Sequence, residues 1–155
     1  MTIDPYAMFS TATPQDAPAI RDLVRAAYAR WTPVLGREPR PMQADYDRAV
    51  REHRIELLRE QDRLVGLIET ALRPGHVWIE NVAVQPDCQR RGLGRILLGH
   101  AERLAVGSGL PECRLLTNGA FEANVALYLS VGYRIDLEEP FMGGTTVYMS
   151  KRLLP

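Results

Sequence analysis

The chain has 155 residues with 19 Lys and Arg against 19 Asp and Glu, so its formal net charge is zero. Hydrophobic residues make up 46% of it and charged residues 25%, the composition of a globular domain with enough apolar material for one core. We therefore expect a single domain over residues 1–155. The lack of a cationic surplus argues against a dedicated nucleic-acid binder or a polybasic membrane binder.

Cysteine content and the N-terminal segment bear on the compartment. Cys88 and Cys113 are too few for a disulfide framework and lack the spacing of a metal site. Residues 1–10 show no basic segment followed by an apolar stretch, and no run approaches the roughly 18 apolar residues of a membrane span. These features predict a cytoplasmic protein without a membrane partner, and a homodimer is compatible with them.

The N-terminal third predicts two helices. Residues 13–16 form a capping-box variant, and apolar residues then recur at helical spacing as far as Trp31. The proline-rich segment 32–41 predicts a loop. A second helix is expected over residues 42–53.

The middle of the chain predicts three consecutive strands. Residues 55–58 and 64–72, separated by the polar turn 60–63, are typical of a hairpin. The run 76–84 is apolar on both faces apart from Glu80 and the asparagine after it, which is typical of a central strand.

The C-terminal half alternates helices and strands. The elements expected there are helix 92–107, strand 113–117, helix 121–131 and strands 133–137 and 145–153. With a first strand before residue 13, the order is β-α-α-β-β-β-α-β-α-β-β. This order predicts an α/β fold, with a central mixed sheet of about six to seven strands and about four helices on its two faces.

A glycine-rich loop separates the predicted central strand from the next helix. Its glycines let the backbone approach a ligand at a helix N-terminus, where free N–H groups and the helix dipole attract anions. Its arginines add charge for phosphate, although a glycine turn with solvated arginines is the alternative. Walker and dinucleotide fingerprints do not fit, because no Gly-Lys-Ser/Thr occurs and Leu97 stands where the latter requires Gly or Ala. The loop consists of Gln89, Arg90, Arg91, Gly92, Leu93, Gly94 and Arg95.

Residues 82–95 resemble the Q/R-x-x-G-x-G/A signature of the GNAT N-acetyltransferases, including its preceding strand and proline. Residues 124–133 are similar to the family's N-x-x-x-Y-x-x-x-G-[FY] segment at the same downstream distance. The order of elements agrees over nearly the whole chain. The resemblance implies a GNAT fold and transfer of an acetyl group from acetyl-CoA to a primary amine. The sequence shows no metal-ligand spacing and no Ser or Cys in a nucleophile elbow, so we expect direct transfer without a metal or an acetyl-enzyme.

The resemblance also implies roles for individual residues. The loop amides from Gln89 to Arg95 are expected to hold the pyrophosphate of acetyl-CoA, Asn124 to contact the pantetheine arm, and Tyr128 to lie near the thioester sulfur. The strand before the loop is expected to splay from its neighbour. The backbone groups expected to hold the pantetheine arm are those of Val82, Ala83 and Val84.

This chemistry is compatible with the residues. Asn124 and Tyr128 are four apart and share one helix face. A strand N–H such as that of Val82, left unpaired by the splay, is suited to stabilise the oxyanion of a tetrahedral intermediate. A thiol has a pKa of about 8.5 and a tyrosine one of about 10, so Tyr128 is expected to hydrogen-bond the departing sulfur rather than protonate it fully. The alternative for Tyr128 is an ordinary half-buried aromatic.

The acceptor amine must lose a proton before it attacks. Glu80 is the predicted base, because a carboxylate on a largely apolar strand is expected to have a raised pKa. A salt-bridged or solvent-facing Glu80 is the alternative, and Glu69 on the preceding strand is the second candidate. His76 and His100 are weaker candidates, His100 being expected at the helix–sheet interface, and Trp78 is expected in the core.

The acceptor is expected to enter between segments 28–45 and 138–146. Their aromatic and arginine content favours a small amine or an amino acid with its own carboxylate, and a protein amine is the alternative. Trp31 is expected to be a core residue at a helix end. Two other classes stay open: a non-catalytic acyl-CoA sensor, and a nucleic-acid module, which the confinement of the arginines to a glycine loop disfavours.

Overall fold

The computed structural model describes residues 8–153, which form a seven-stranded sheet in the order β1-β2-β3-β4-β5-β7-β6. The predicted mixed α/β fold is confirmed. The strands are β1 (Phe9–Thr11), β2 (Arg54–Glu60), β3 (Arg63–Arg73), β4 (His76–Val84), β5 (Glu112–Asn118), β6 (Arg134–Phe141) and β7 (Gly144–Arg152). The helices are α1 (Ala17–Tyr28), α2 (Thr32–Leu35), α3 (Arg40–Gln43), α4 (Tyr46–Glu52), α5 (Leu93–Gly107) and α6 (Glu122–Ser130).

Helix α1 begins and ends as predicted. The Thr13 N–H donates to the Asp16 Oδ2 atom at 2.8 Å, which forms one half of the expected capping box. Single 3-10 turns flank the helix and extend the helical backbone to Trp31. Its buried face consists of Ala17, Ile20, Leu23, Val24, Ala27 and Tyr28.

The segment between α1 and β2 differs from the prediction. The expected loop 32–41 contains α2 and the start of α3, because proline is tolerated in the first turn of a helix. The expected helix 42–53 is broken at Ala44, whose backbone is extended. Asp45 then caps α4, its Oδ1 atom accepting from the Arg48 N–H at 3.2 Å. The result is three short helices packed beside the sheet.

Helices cover the two faces of the sheet and create two hydrophobic cores. On one face α5 packs its buried residues against β3, β4 and β5, around Leu97, Ile68 and Ile79. On the other face α1 and α4 bury Leu67 and Ile55. None of the helices within residues 8–153 is long and apolar enough to cross a membrane.

Strands β4 and β5 separate soon after they meet, as the resemblance led us to expect. Their parallel pairing extends only from Val77 opposite Cys113 to Ile79 opposite Leu115, although both strands continue beyond it. On its other side, β4 stays paired with β3 up to Val84. A gap therefore opens in the middle of the sheet and widens towards the glycine loop.

A β-bulge marks the point where the gap begins. On β3, Thr70 lies opposite Ile79 and Glu69 lies opposite Asn81, so Glu80 has no partner in this register. The extra residue reverses which side chains of β4 face each helical layer and bends the strand. It thus places the polar residues of β4 at the mouth of the gap.

Candidate active site

The edge of β4 that faces the gap presents backbone groups that are not paired with β5, and side chains already donate to two of its carbonyls: Tyr28 to Val82 at 3.4 Å and Gln89 to Val84 at 3.2 Å. The Gln85 N–H donates to the Val65 carbonyl at 2.8 Å, and the alternation of an antiparallel ladder then turns Ala83 towards β3. The same alternation turns the N–H and C=O groups of Val82 and Val84 into the gap. Of the three residues predicted to hold the pantetheine arm, two face the gap and Ala83 pairs with β3.

The two glycines of the loop serve different purposes. Gly92 has φ of +83°, a left-handed conformation that suits glycine, and it directly precedes α5. Gly94 lies in the first turn of α5, where a Cβ atom would stand 2.8 Å from the Leu127 Cδ2 atom. The first glycine therefore allows the turn, and the second allows α5 and α6 to approach closely.

Three polar side chains of the loop, those of Gln89, Arg91 and Arg95, are held by the protein. Arg91 donates to both carboxylate oxygens of Glu60, at 2.9 and 2.6 Å, and this pairing lowers the pKa of Glu60. Arg95 donates to the Ser130 Oγ atom at 3.1 Å, and the Gln89 side chain donates to the Val84 carbonyl at 3.2 Å. These contacts fix the loop so that the amides opening α5 are presented to an anion.

A cavity of about 670 Å³ opens beside the gap. Its walls come from β4 and β5, from segment 35–46 and from the hairpin of β6 and β7. Val82 and Tyr128 also line the cavity, so the cavity meets the gap at these residues. The polar and charged side chains lining it include Tyr28, Arg37, Arg40, Tyr46, Glu69, Glu80, Asn81, Tyr128 and Glu139.

Tyr128 is a hydrogen-bond donor at neutral pH. Its side chain is 6% exposed on α6, and burial raises its pKa to about 12. Against a thiol of about 8.5, full proton transfer is unfavourable by roughly 3.5 units. The buried hydroxyl thus keeps its proton and can donate a hydrogen bond. Asn124 lies one helical turn earlier, outside the wall of the cavity.

Glu80 lies on the bulge and is exposed. Its Oε2 atom accepts a hydrogen bond from the Trp78 Nε1–H at 2.7 Å. The prediction that Trp78 lies in the core is wrong: Val77 and Ile79 face the core beneath α5, so the alternation of the strand turns Trp78 to the opposite face, where it is partly exposed and lines the cavity. The pair places a carboxylate and an indole side by side at the cavity wall.

Glu69 is the buried carboxylate of the cavity. It is 4% exposed, and its Oε2 atom lies 2.6 Å from the His53 Nδ1 atom. Burial raises the pKa of Glu69, the contact with His53 lowers it in part, and the charge of Glu80 raises it further. The buried carboxylate that was predicted on β4, at Glu80, is therefore found on β3, at Glu69.

A buried polar chain lies under the cavity and was missed by the sequence interpretation. The Tyr28 hydroxyl donates to the Asn81 Oδ1 atom at 2.8 Å, and the Asn81 Nδ2–H donates to the Tyr46 hydroxyl at 3.4 Å. The Tyr46 hydroxyl donates to the Pro41 carbonyl at 2.6 Å. Burial raises the pKa of both tyrosines, so both stay protonated. Asn81, a polar residue inside an otherwise apolar strand, was the feature of the sequence that could have indicated this buried chain.

The remaining histidines and Trp31 lie away from the cavity wall. His100 stacks on Phe9 with ring centroids 4.2 Å apart, which confirms its place between helix and sheet. Trp31 stacks on Phe121 at 4.8 Å and packs at the edge of the core, as predicted. His76 lines a second depression on the open sheet face. Within residues 8–153, no three His, Cys, Asp or Glu side chains are grouped to hold a metal ion.

Comparison with known proteins identifies the family. The sequence model of the Acetyltransferase (GNAT) family matches residues 18–133. The chain is 36% identical over 76 residues to the [ribosomal protein bS18]-alanine N-acetyltransferase of Salmonella typhimurium. This alignment covers 49% of the chain and 51% of that protein, so the chain spans about half the length of the curated relative it matches.

Solved structures share the fold. The PaiA N-acetyltransferase of Thermoplasma acidophilum, solved in complex with coenzyme A, superposes with a TM-score of 0.81 at 15% identity, covering 99% of this chain and 100% of the other. The ribosomal-protein-S18-alanine N-acetyltransferase of Escherichia coli superposes with a TM-score of 0.76 at 21% identity, covering 95% and 94%. Together with the family match, the splayed strands and the glycine loop, this establishes that the chain belongs to the GNAT family of acetyltransferases.

Proposed function

We propose that the protein transfers an acetyl group from acetyl-CoA directly to the primary amine of a small, amino-acid-like acceptor. One observation carries this proposal: the gap between β4 and β5 leads from the glycine loop to a cavity lined by Tyr128, Glu69 and Glu80. Donor and acceptor can therefore approach each other from opposite sides of the sheet. The carbonyl of the thioester and the amine then meet beside Val82.

The donor side fits acetyl-CoA. The pantetheine arm can lie in the gap as an additional strand, because the backbone groups of Val82 and Val84 face it. The amides that open α5 after Gly92 provide the helix N-terminus that a pyrophosphate requires. Gly94 keeps α6 close to this loop, which brings Tyr128 near the end of the arm.

The same geometry supports the chemical steps. The Val82 N–H, turned into the gap, can stabilise the oxyanion that forms when the amine attacks the carbonyl. Tyr128, protonated at neutral pH, can hydrogen-bond the thiolate as the C–S bond breaks. No Ser or Cys is needed to carry an acetyl-enzyme, because both substrates reach the same point.

The charges of the cavity favour an acceptor with both an amine and a carboxylate. Glu69, Glu80 and Glu139 contribute negative charge to the walls formed by the sheet, and Arg37 and Arg40 contribute positive charge from the helical segment. An α-amino acid presents groups of both signs within one small molecule. This arrangement is the reason for preferring it over a simple amine.

A protein N-terminus is the second candidate, and two observations favour it. The Salmonella relative is named as an alanine N-acetyltransferase of ribosomal protein bS18. A second depression of about 430 Å³ shares Trp78, Leu115 and Tyr148 with the acceptor cavity, so a longer chain could continue along the open sheet face. In this reading the first residue occupies the cavity and the following ones the depression.

Calorimetry with acetyl-CoA, followed by thiol release, tests the proposal. The acceptors are L-amino acids, their amides, and tetrapeptides with the same first residues. We expect acetyl-CoA to bind and the free amino acids to react faster than their amides. Faster reaction of the tetrapeptides would establish the second candidate. Binding without thiol release from any acceptor would indicate a sensor, and no binding would refute the proposed function.

A matched variant tests the role of Tyr128. Tyr128→Phe removes only the hydroxyl, so we expect unchanged acetyl-CoA affinity and a kcat lowered on the order of 10- to 100-fold. An unchanged kcat would show that the hydroxyl does not assist the departing thiolate.

A further inference from the structure

We propose that Glu69 and His53 form a proton relay, which takes a proton from the acceptor ammonium in the cavity and releases one to solvent on the far side of the wall. This inference rests on the proposed function. Glu69 is a catalytic residue in it, and His53 is a positioning residue that acts through Glu69. Glu80, at the exposed bulge, attracts the charged amine.

The Glu69–His53 pair lies between the cavity and the solvent. Glu69 lines the cavity and is otherwise buried, and His53 holds its Oε2 atom at 2.6 Å. The contact with His53 engages the Oε2 atom of Glu69, which leaves Oε1 as the oxygen available to the acceptor. The side chain of His53, at the junction of α4 and β2, is 23% exposed and reaches solvent.

His53 is the hydrogen-bonded partner of Glu69, and further titratable groups surround the pair. The helices contribute two protonated tyrosines, and β4 contributes a neutral amide and a second carboxylate. Arginines line the same cavity from the helical segment. The titratable groups that interact with Glu69 are Tyr28, Tyr46, His53 and Glu80, and Arg37 and Arg40 line the same cavity.

Bonds and protons balance in the transfer step. An N–H bond of the ammonium breaks as an O–H bond forms at Glu69 Oε1, and the freed nitrogen lone pair forms the C–N bond with the thioester carbonyl carbon. When His53 is ion-paired with Glu69, it carries protons on both ring nitrogens, and it loses its Nε2 proton to water at the same time. The pair thereby changes from a carboxylate and an imidazolium to a carboxylic acid and a neutral imidazole, which together hold the same number of protons. When the C–S bond breaks, its electron pair leaves on sulfur, and the second nitrogen proton goes to the thiolate by way of solvent.

The chain provides matched controls. Glu56 is, like Glu69, 4% exposed, and its carboxylate is held by Arg54 at 2.6 Å, but it lies on β2 outside the cavity wall. Glu56→Gln therefore controls for the loss of a buried carboxylate. His100→Gln controls for the loss of a partly buried imidazole, since this residue stacks on β1.

The experiment measures kcat and kcat/KM against pH for the full chain, with the fastest acceptor of the panel above. We expect Glu69→Gln to lower kcat on the order of 100-fold at neutral pH without changing acetyl-CoA affinity. The defect should shrink to about threefold at a pH above the acceptor's own pKa, where the amine is neutral without help. We expect His53→Gln to lower kcat about tenfold and to move the acidic limb of the profile.

Two outcomes separate the relay from the function on which it rests. If the wild-type chain is active and Glu69→Gln behaves like Glu56→Gln, or keeps its defect at every pH, the relay is wrong and the acetyl transfer stands. If the wild-type chain acetylates no acceptor, the proposed function fails and the relay fails with it. Equal pH profiles of His53→Gln and His100→Gln would remove His53 from the relay.

Discussion

Replacing Gly94 with alanine tests whether the second glycine of the loop exists for helix packing. The new Cβ atom would stand 2.8 Å from the Leu127 Cδ2 atom, whereas ordinary contacts begin near 3.4 Å. The end of the Leu127 side chain must therefore give way by about 0.6 Å. Because Tyr128 follows Leu127 on α6, we expect part of this displacement to reach the Tyr128 hydroxyl, the proposed donor to the departing thiolate.

The stability cost can be approximated from two opposing effects. Overpacking a well-packed site costs about 1–3 kcal/mol. Alanine is better than glycine in a helix by about 0.5–1 kcal/mol, which offsets part of that. We expect Gly94→Ala to destabilise the protein by about 1 kcal/mol, measured by urea unfolding, and to lower kcat more than acetyl-CoA affinity.

A double-mutant cycle decides the mechanism. Leu127→Ala removes the clashing atoms. The double variant should therefore be about 1 kcal/mol more stable than the sum of the two single-variant losses predicts. Gly92→Ala is the control: a Cβ atom there meets nothing within 4 Å, and its cost of about 1–2 kcal/mol comes from φ of +83°. It should be additive with Leu127→Ala to within about 0.5 kcal/mol. Additivity of Gly94→Ala with Leu127→Ala would refute the packing explanation.

Two further predictions concern the polar groups under the cavity. Asn81→Leu should destabilise the protein by about 1–3 kcal/mol in urea unfolding, because the buried Tyr28 hydroxyl loses the nearer of its two acceptors and keeps only the Val82 carbonyl at 3.4 Å, and adding Tyr28→Phe should recover part of that loss. Since the pKa of Glu69 is raised in the folded state, ionisation of its carboxyl opposes folding. The stability that the protonated carboxyl contributes is fully present below its unfolded-state pKa of about 4.3 and is lost as the pH rises through its folded-state pKa. The Tm of Glu69→Gln relative to wild type should therefore increase between pH 4 and pH 8, and a decrease would contradict the inferred direction.

Local features of the chain allowed much of the fold to be predicted. The helical spacing before Trp31 gave one buried face, and the polar turn at 60–63 became a hairpin whose Gln61 and Asp62 have positive φ. The glycine loop likewise precedes α5, with Gly92 in the left-handed conformation. Periodicity and turn chemistry act over a few residues, which is why the sequence alone carried these features.

The short helices before β2 escaped prediction because their boundaries depend on packing. Prolines 33, 39 and 41 suggested a loop, yet α2 and α3 form because each proline occupies a flank or first turn and the buried Met42 packs against the second core. Local signals for helix and loop were balanced there, and tertiary contact decided between them.

The sequence by itself determined the donor side of this protein, and only the tertiary structure decided the acceptor side. The loop and the segment carrying Tyr128 are each contiguous, so their spacing could be recognised. The position of the proposed base depends on strand register: the bulge exposes Glu80, and Glu69 meets His53 sixteen positions away. Register and burial arise from contacts between distant segments, and no pattern along the chain encodes which carboxylate they bury.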